Sequence, residues 1–149
     1  MLVGDPAPDF HLRDQDGVER RLTDFLATGP VVLFFFPAAS SSGCTRETCH
    51  FRDLASEFAA HRANRVGVSM DAVDTQAAFA ALNRLDYPLL ADVGGAVAHL
   101  YGVKRFLEVL RVRRTTFVID ARGVVREIIS SELNMNVHAD RALAALSTL

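Results

Sequence analysis

A chain of 149 residues, half of them hydrophobic and 23% charged, is long enough to bury a sizeable core as a single domain spanning 1–149. Its net charge of −2 supplies no global pull toward nucleic acid or an anionic membrane surface. No stretch approaches the roughly 18 apolar residues of a membrane span. Met1–Phe10 carries two acids and two prolines and lacks the basic start and apolar run of a secretory signal. The expected address is therefore the cytoplasm, where thiols are kept reduced and disulfides are transient or catalytic.

In chain order, Phe10–Leu12 and Val18–Leu22 are short alternating runs separated by Asp14-Gln15-Asp16-Gly17, a hairpin signal. Thr23-Asp24 starts a short helical turn before Gly29-Pro30. Val31–Phe36 is a run of six apolar residues, which suits a strand covered on both faces. Pro37 lacks a backbone N–H and stops that ladder. Ser40, Ser41, Ser42 and Gly43 are turn and N-cap residues. From Cys44 the apolar pattern turns helical, stepping through Thr48, Phe51, Ala55 and Phe58 and ending near Ala60. Arg65–Ser69 reads as a second buried strand, and Asp71 or Asp74 caps a helix running through Leu82. Pro88–Leu90 is a strand fragment. Gly94-Gly95 to Tyr101 forms a short helix that Gly102 ends in the left-handed conformation. Lys104–Arg114 is a basic loop whose Phe106, Leu107, Val109 and Leu110 suit a subunit contact. Thr115–Ile119 and Val124–Ile129 form a hairpin about Asp120–Gly123, and Asn136 caps a last helix reaching Leu146. Strands alternating with helices imply parallel pairing by right-handed crossovers, and the closing hairpin adds antiparallel strands. The fold class is α/β, a mixed sheet with helices on both faces.

The two cysteines carry the chemistry. Cys44 falls in the first turn of its helix, where unpaired N–H groups and the positive end of the macrodipole favour a thiolate, the nucleophilic form. Cys49 follows five residues later and points about 140° away, with its Cα about 8.6 Å from that of Cys44 on an ideal helix. A disulfide wants about 4.4–6.8 Å. Bonding the pair therefore requires the first turn to unwind, which suits a redox switch better than a static staple. A metal site at Cys44, Cys49 and His50 fits no common zinc spacing. His11, His61, His99 and His138 are scattered and read as structural or exposed.

These segments resemble the peroxiredoxins, in particular the peroxiredoxin Q (bacterioferritin comigratory protein) subfamily. The signature Pro-x-x-x-Thr/Ser-x-x-Cys stands here as Pro37 to Cys44. The subfamily extension Gly-Cys-Thr-x-Glu-x-Cys-x-Phe-Arg is matched at every fixed position by Gly43 to Arg52. Arg114-Thr115-Thr116-Phe117-Val118-Ile119-Asp120 and the opening Gly4 to Phe10 match two further segments. Three positions depart from the usual pattern: Ser41 for threonine, Ser42 for proline and Phe36 for tyrosine. Ser41 keeps the hydroxyl but loses the β-branch that fixes its rotamer.

The resemblance implies a thioredoxin-like fold and a thiol-dependent peroxidase. Cys44 would be the peroxidatic thiol, attacking a peroxide oxygen to give a sulfenic acid. The Ser41 hydroxyl, the Cys44 N–H and the Arg114 guanidinium would meet charge growing on the leaving oxygen. Glu47 would orient Arg114, and Pro37 would shield the sulfur. Cys49 would be the resolving thiol within the same chain, and a thioredoxin-like dithiol protein the reductant. Neither cofactor nor metal is required, the other substrate is a peroxide, and a monomer is expected, with a dimer as the alternative. Taken singly, the same residues have plainer readings. Ser41 is a cap, Arg114 a solvated arginine like Arg111 and Arg113, Glu47 a first-turn acid, Pro37 a strand end and Cys49 an incidental helix cysteine. Outside the peroxidases, the alternatives are a disulfide oxidoreductase, against which the missing C-x-x-C counts, and a redox-sensing binding module.

Overall fold

The computed structural model describes residues 1–39, 41–106 and 111–149. Its strands are β1 (His11–Arg13), β2 (Glu19–Arg21), β3 (Val31–Phe35), β4 (Asn64–Ser69), β5 (Leu89–Ala91), β6 (Thr115–Ile119) and β7 (Val125–Ser130). Its helices are α1 (Leu22–Leu26), α2 (Ser42–Asp53), α3 (Ala55–Ala60), α4 (Val73–Leu82), α5 (Ala96–Leu100) and α6 (Asn136–Leu146). The strands make one seven-stranded sheet in the order β2-β1-β5-β4-β3-β6-β7. β3 pairs parallel with β4, and β4 with β5, while the other pairs are antiparallel. This is the mixed α/β sheet that the order of elements implies.

β3 is central and wholly buried, and its side chains alternate between two cores as the pleat requires. Val31, Leu33 and Phe35 face a core completed by Phe25 of α1, Val97 of α5, Tyr101 and Phe117. Val32, Phe34 and Phe36 face the other, filled by Phe51, Phe58, Phe79 and Ala139 from α2, α3, α4 and α6. Cys44 belongs to this second core. The Phe51 ring stacks on Phe34 with centroids 4.2 Å apart, and burying it contributes about 2 kcal/mol. That contact presses the middle of α2 onto the sheet.

Several local expectations need correction. The helix expected to run unbroken to Ala60 breaks at Leu54, which leaves helical geometry at φ −97°, ψ 22°. There Arg65 of β4 donates to the Phe51 carbonyl at 3.0 Å, taking an acceptor that the helical ladder would otherwise use. Neither Asp71 nor Asp74 caps α4. Ala72 holds the cap position without a side-chain bond. Asn136 does not cap α6 but begins it, and Asn134 Oδ1 accepts the Val137 N–H at 3.3 Å. The stretch Lys104–Arg114 is more ordered at its ends than a loop, because Lys104 and Val112 form an antiparallel bridge. Of its suggested contact residues, Phe106 is exposed, while Leu107, Val109 and Leu110 lie outside the described residues. Gly102 does end the α5 segment with a positive φ of 72°, a conformation glycine adopts without penalty.

Candidate active site

The apolar run of β3 carries the chain to Pro37, and the following loop delivers Ser41 as the N-cap of α2. Ser41 Oγ accepts the Cys44 N–H at 3.2 Å and donates to the Ala38 carbonyl at 3.2 Å. Cys44 is thereby fixed in the first turn, fully buried, with its side chain in the second core. The loop itself is tied from outside. Asp71 accepts the Ala39 N–H at 2.8 Å, the Ser69 hydroxyl at 2.6 Å and Arg111 Nη1 at 2.9 Å. The aspartate read as a helix cap is thus an anchor for the thiol loop, and Arg111, read as a surface arginine, is its counter-ion.

Arg114 arrives from the other side of β3. Phe35 pairs with Thr115, so the residue before Thr115 stands beside the end of β3. Arg114 Nη2 donates to Cys44 Sγ at 3.2 Å, and Nη1 donates to Glu47 Oε1 at 2.7 Å. The planar fork spans thiol and carboxylate at once, a geometry lysine cannot reproduce. Glu47 lies one turn after Cys44 on the same helix face and is fully buried. Burial pushes its carboxyl up from 4.5 to about 7, against the opposing pull of Arg114. Burial disfavours the Arg114 charge, but Glu47 and Cys44 outweigh it and hold the group above its ordinary value. Gly43 lies close to this contact: a Cβ there would stand 3.3 Å from Arg114 Nη2 and 3.4 Å from Met135 Sδ, so a larger residue would press on both side chains.

Cys44, Ser41, Glu47 and Arg114 are therefore brought together. Pro37 is half-buried at the start of the loop. Cys49 is not at the cluster. It points toward α4, where its Sγ lies 3.6 Å from Asn83 Oδ1, and it is partly exposed. Neither cysteine is bonded to the other. The back of α2 is held by Tyr87, whose hydroxyl donates to the Thr48 carbonyl at 2.7 Å, and by Arg52 Nη1, which donates to the Asn83 carbonyl at 2.6 Å. His50 pairs with Asp140 at 2.8 Å and takes no part with the thiols. Among the described residues no group of His, Cys, Asp or Glu is arranged to hold a metal ion.

The sequence reading of His138 as structural or exposed did not place it beside Glu47. The histidine is buried at the start of α6, with Nδ1 at 2.8 Å from Thr116 Oγ1 and 3.5 Å from Glu47 Oε2. No local motif signals it, because its partners come from α2 and β6.

Residues 3–128 match the model of the AhpC/TSA family. The chain belongs to that family. A protein of Mycobacterium tuberculosis named as a peroxiredoxin is 56% identical over 151 residues, covering 100% of this chain and 98% of that one. The chloroplastic peroxiredoxin Q of Populus jackii is 37% identical over 146 residues, covering 98% of this chain and 68% of the relative. The crystal structure of the peroxidoxin BcpB from Mycobacterium tuberculosis superposes with a TM-score of 0.96 at 56% identity over 100% of this chain and 98% of that one. The bacterioferritin comigratory protein of Xanthomonas campestris, whose structures bear on its alkyl peroxide reduction, gives 0.85 at 29% identity over 93% and 90%. The chain is thus a peroxiredoxin of the Q group with a thioredoxin-like fold, and its family supports a thiol peroxidase. No helix among the described residues is long and apolar enough to cross a membrane.

Proposed function

We propose that this peroxiredoxin reduces hydrogen peroxide and organic hydroperoxides through Cys44. The observation that carries the reading is the 3.2 Å contact between Arg114 Nη2 and Cys44 Sγ, with Arg114 itself held by buried Glu47. The Cys44 thiolate attacks the nearer peroxide oxygen; an S–O bond forms, the O–O bond breaks and the departing oxygen takes a proton. Arg114 supplies a fixed positive charge beside both the sulfur and the oxygen that leaves. Arg114 Nε is buried without an acceptor among the described residues, which leaves a donor in hand. The Ser41 hydroxyl and the Cys44 N–H are engaged with each other and with Ala38. A bound peroxide exchanges these long contacts for its own. Pro37 opens the loop and limits water access to the sulfur.

The sulfenic acid then condenses with Cys49 of the same chain, releasing water, and a thioredoxin-like dithiol protein reduces the disulfide. Cys44 faces Arg114 while Cys49 faces Asn83, so the step requires the start of α2 to unwind. The protein acts as a single-domain monomer in the cytoplasm; one sheet bearing both cores supports the domain reading. The test mixes reduced protein with peroxide and follows peroxide loss and intact mass. Loss of peroxide no faster than with Cys44→Ser rejects the peroxidase. A mass lower by two hydrogens, with no dimer on a non-reducing gel, supports resolution by Cys49; a stable sulfenic or sulfinic adduct rejects it.

A further inference from the structure

Beside Glu47 lies a second buried titratable group, His138, that the reaction above does not use. His138 Nε2 stands 2.9 Å from the Ser131 carbonyl oxygen. A carbonyl only accepts, so Nε2 carries a hydrogen. In the neutral ring Nδ1 is then a lone pair, accepting from Thr116 Oγ1 at 2.8 Å. Glu47 Oε2 faces the same Nδ1 at 3.5 Å and has no hydrogen-bond partner among the described residues. An ionised carboxylate and a ring lone pair so placed repel one another, fully buried on both sides. A proton held by either group turns that repulsion into attraction.

We propose that Glu47 and His138 share one buried proton while Cys44 is a thiolate, and release it when Cys44 becomes a sulfenic acid. The inference rests on the peroxidase reading. In the reduced state the thiolate balances Arg114, so the protonated pair beside them adds no charge. Oxidation removes the sulfur's negative charge. Losing the pair's proton restores balance, because ionised Glu47 then partners Arg114 through the 2.7 Å contact already present. The reaction calls for this proton: thiolate plus hydroperoxide plus one proton gives sulfenic acid plus alcohol. The sulfur is oxidised, the peroxide reduced, and the alkoxide that leaves takes up one proton as the pair gives one up. Burial acts in the same sense on both groups, raising Glu47 to about 7 and lowering His138. The charged or titratable groups around the pair are Arg114 before β6, Glu132 in the turn before α6, Arg141 on α6 and Tyr87 before β5, and Cys44 reaches the pair through Arg114, to which both it and Glu47 are bonded. Of these Cys44 alone changes charge in the reaction.

The experiment uses Cys49→Ser protein, in which oxidation stops at the sulfenic acid, in weak buffer below about pH 7 with an indicator dye. Reduced protein is mixed with one equivalent of hydrogen peroxide, and proton uptake is read against sulfenic acid formed. Close to no net uptake is expected, and one proton more per sulfenic acid in Cys49→Ser/Glu47→Gln. Equal uptake in the two proteins overturns the inference while leaving the peroxidase intact. Absence of sulfenic acid overturns the peroxidase reading and this inference with it. Carboxyl-carbon NMR of labelled glutamate in Cys49→Ser protein gives a measurement that does not depend on folding of the glutamine variant. The Glu47 signal should move from the protonated to the ionised position on oxidation, and a signal that stays put overturns the proposal. In His138→Asn the reduced-state Glu47 titration should fall to lower pH, and an unchanged titration removes the histidine from the pair.

Discussion

Replacing Glu47 with glutamine should stabilise the reduced protein in mild alkali and leave it nearly unchanged in mild acid. Glu47 binds its proton more tightly in the fold than in the unfolded chain, because burial raises it from 4.5 to about 7. Its contribution is therefore fully present below about 4.5 and is lost as the pH rises through about 7. The loss amounts to about 3 kcal/mol once both forms are ionised. Glutamine is nearly isosteric, keeps an oxygen for Arg114 Nη1 and never ionises, so it escapes that loss. Urea denaturation of both proteins, with thiols held reduced, should show matching midpoints at about pH 4.5 and a gap of about 3 kcal/mol in favour of glutamine at about pH 8.5. A glutamine variant less stable than the parent by a similar amount at both ends would refute the reasoning. It would mean that the carboxylate is ionised in the fold and that the pair with Arg114 outweighs desolvation.

Arg114→Lys should slow oxidation of Cys44 by about a hundredfold, since an ammonium cannot span thiol and carboxylate together; stopped-flow rates within a few-fold of the parent would remove the fork from the mechanism. Ser41→Ala should cost about 1 kcal/mol through loss of the cap on the Cys44 N–H, and an unchanged denaturation midpoint would show that the bond carries nothing. Burial pushes the Tyr87 hydroxyl well up, so it remains a donor to Thr48 throughout the working range. Tyr87→Phe should cost about 1 kcal/mol and speed formation of the Cys44–Cys49 disulfide, because the middle of α2 is then held less firmly. Slower disulfide formation, followed by quenched-flow mass analysis, would contradict that account.

The strands and both hairpins were legible because their signals are local: six apolar residues before Pro37, and an Asp and a Gly bounding each turn. The break at Leu54 was not, because the apolar steps from Phe51 to Ala55 and Phe58 continue across it, and its cause is an arginine from another strand. The placement of Cys44 in a first turn followed from the serine-rich cap and the change of period. Arg114 was legible only through resemblance, since charge alone does not separate it from Arg111 and Arg113. Asp71 and His138 escaped for the same reason: an anchor for a distant loop and a partner for a distant carboxyl have no signature among their own neighbours.

The ladder between β3 and β6 has a wider consequence. Thiol and guanidinium belong to residues 70 apart in sequence. What brings them within reach is that Val31 meets Ile119 and Phe35 meets Thr115. Sliding β6 by one place would turn Arg114 to the opposite face of the sheet and leave the sulfur without its cation. Reactivity is thus written into strand alignment. A deletion inside either strand would carry Arg114 away from the sulfur and turn buried side chains out of the cores they fill, so site and packing would fail together.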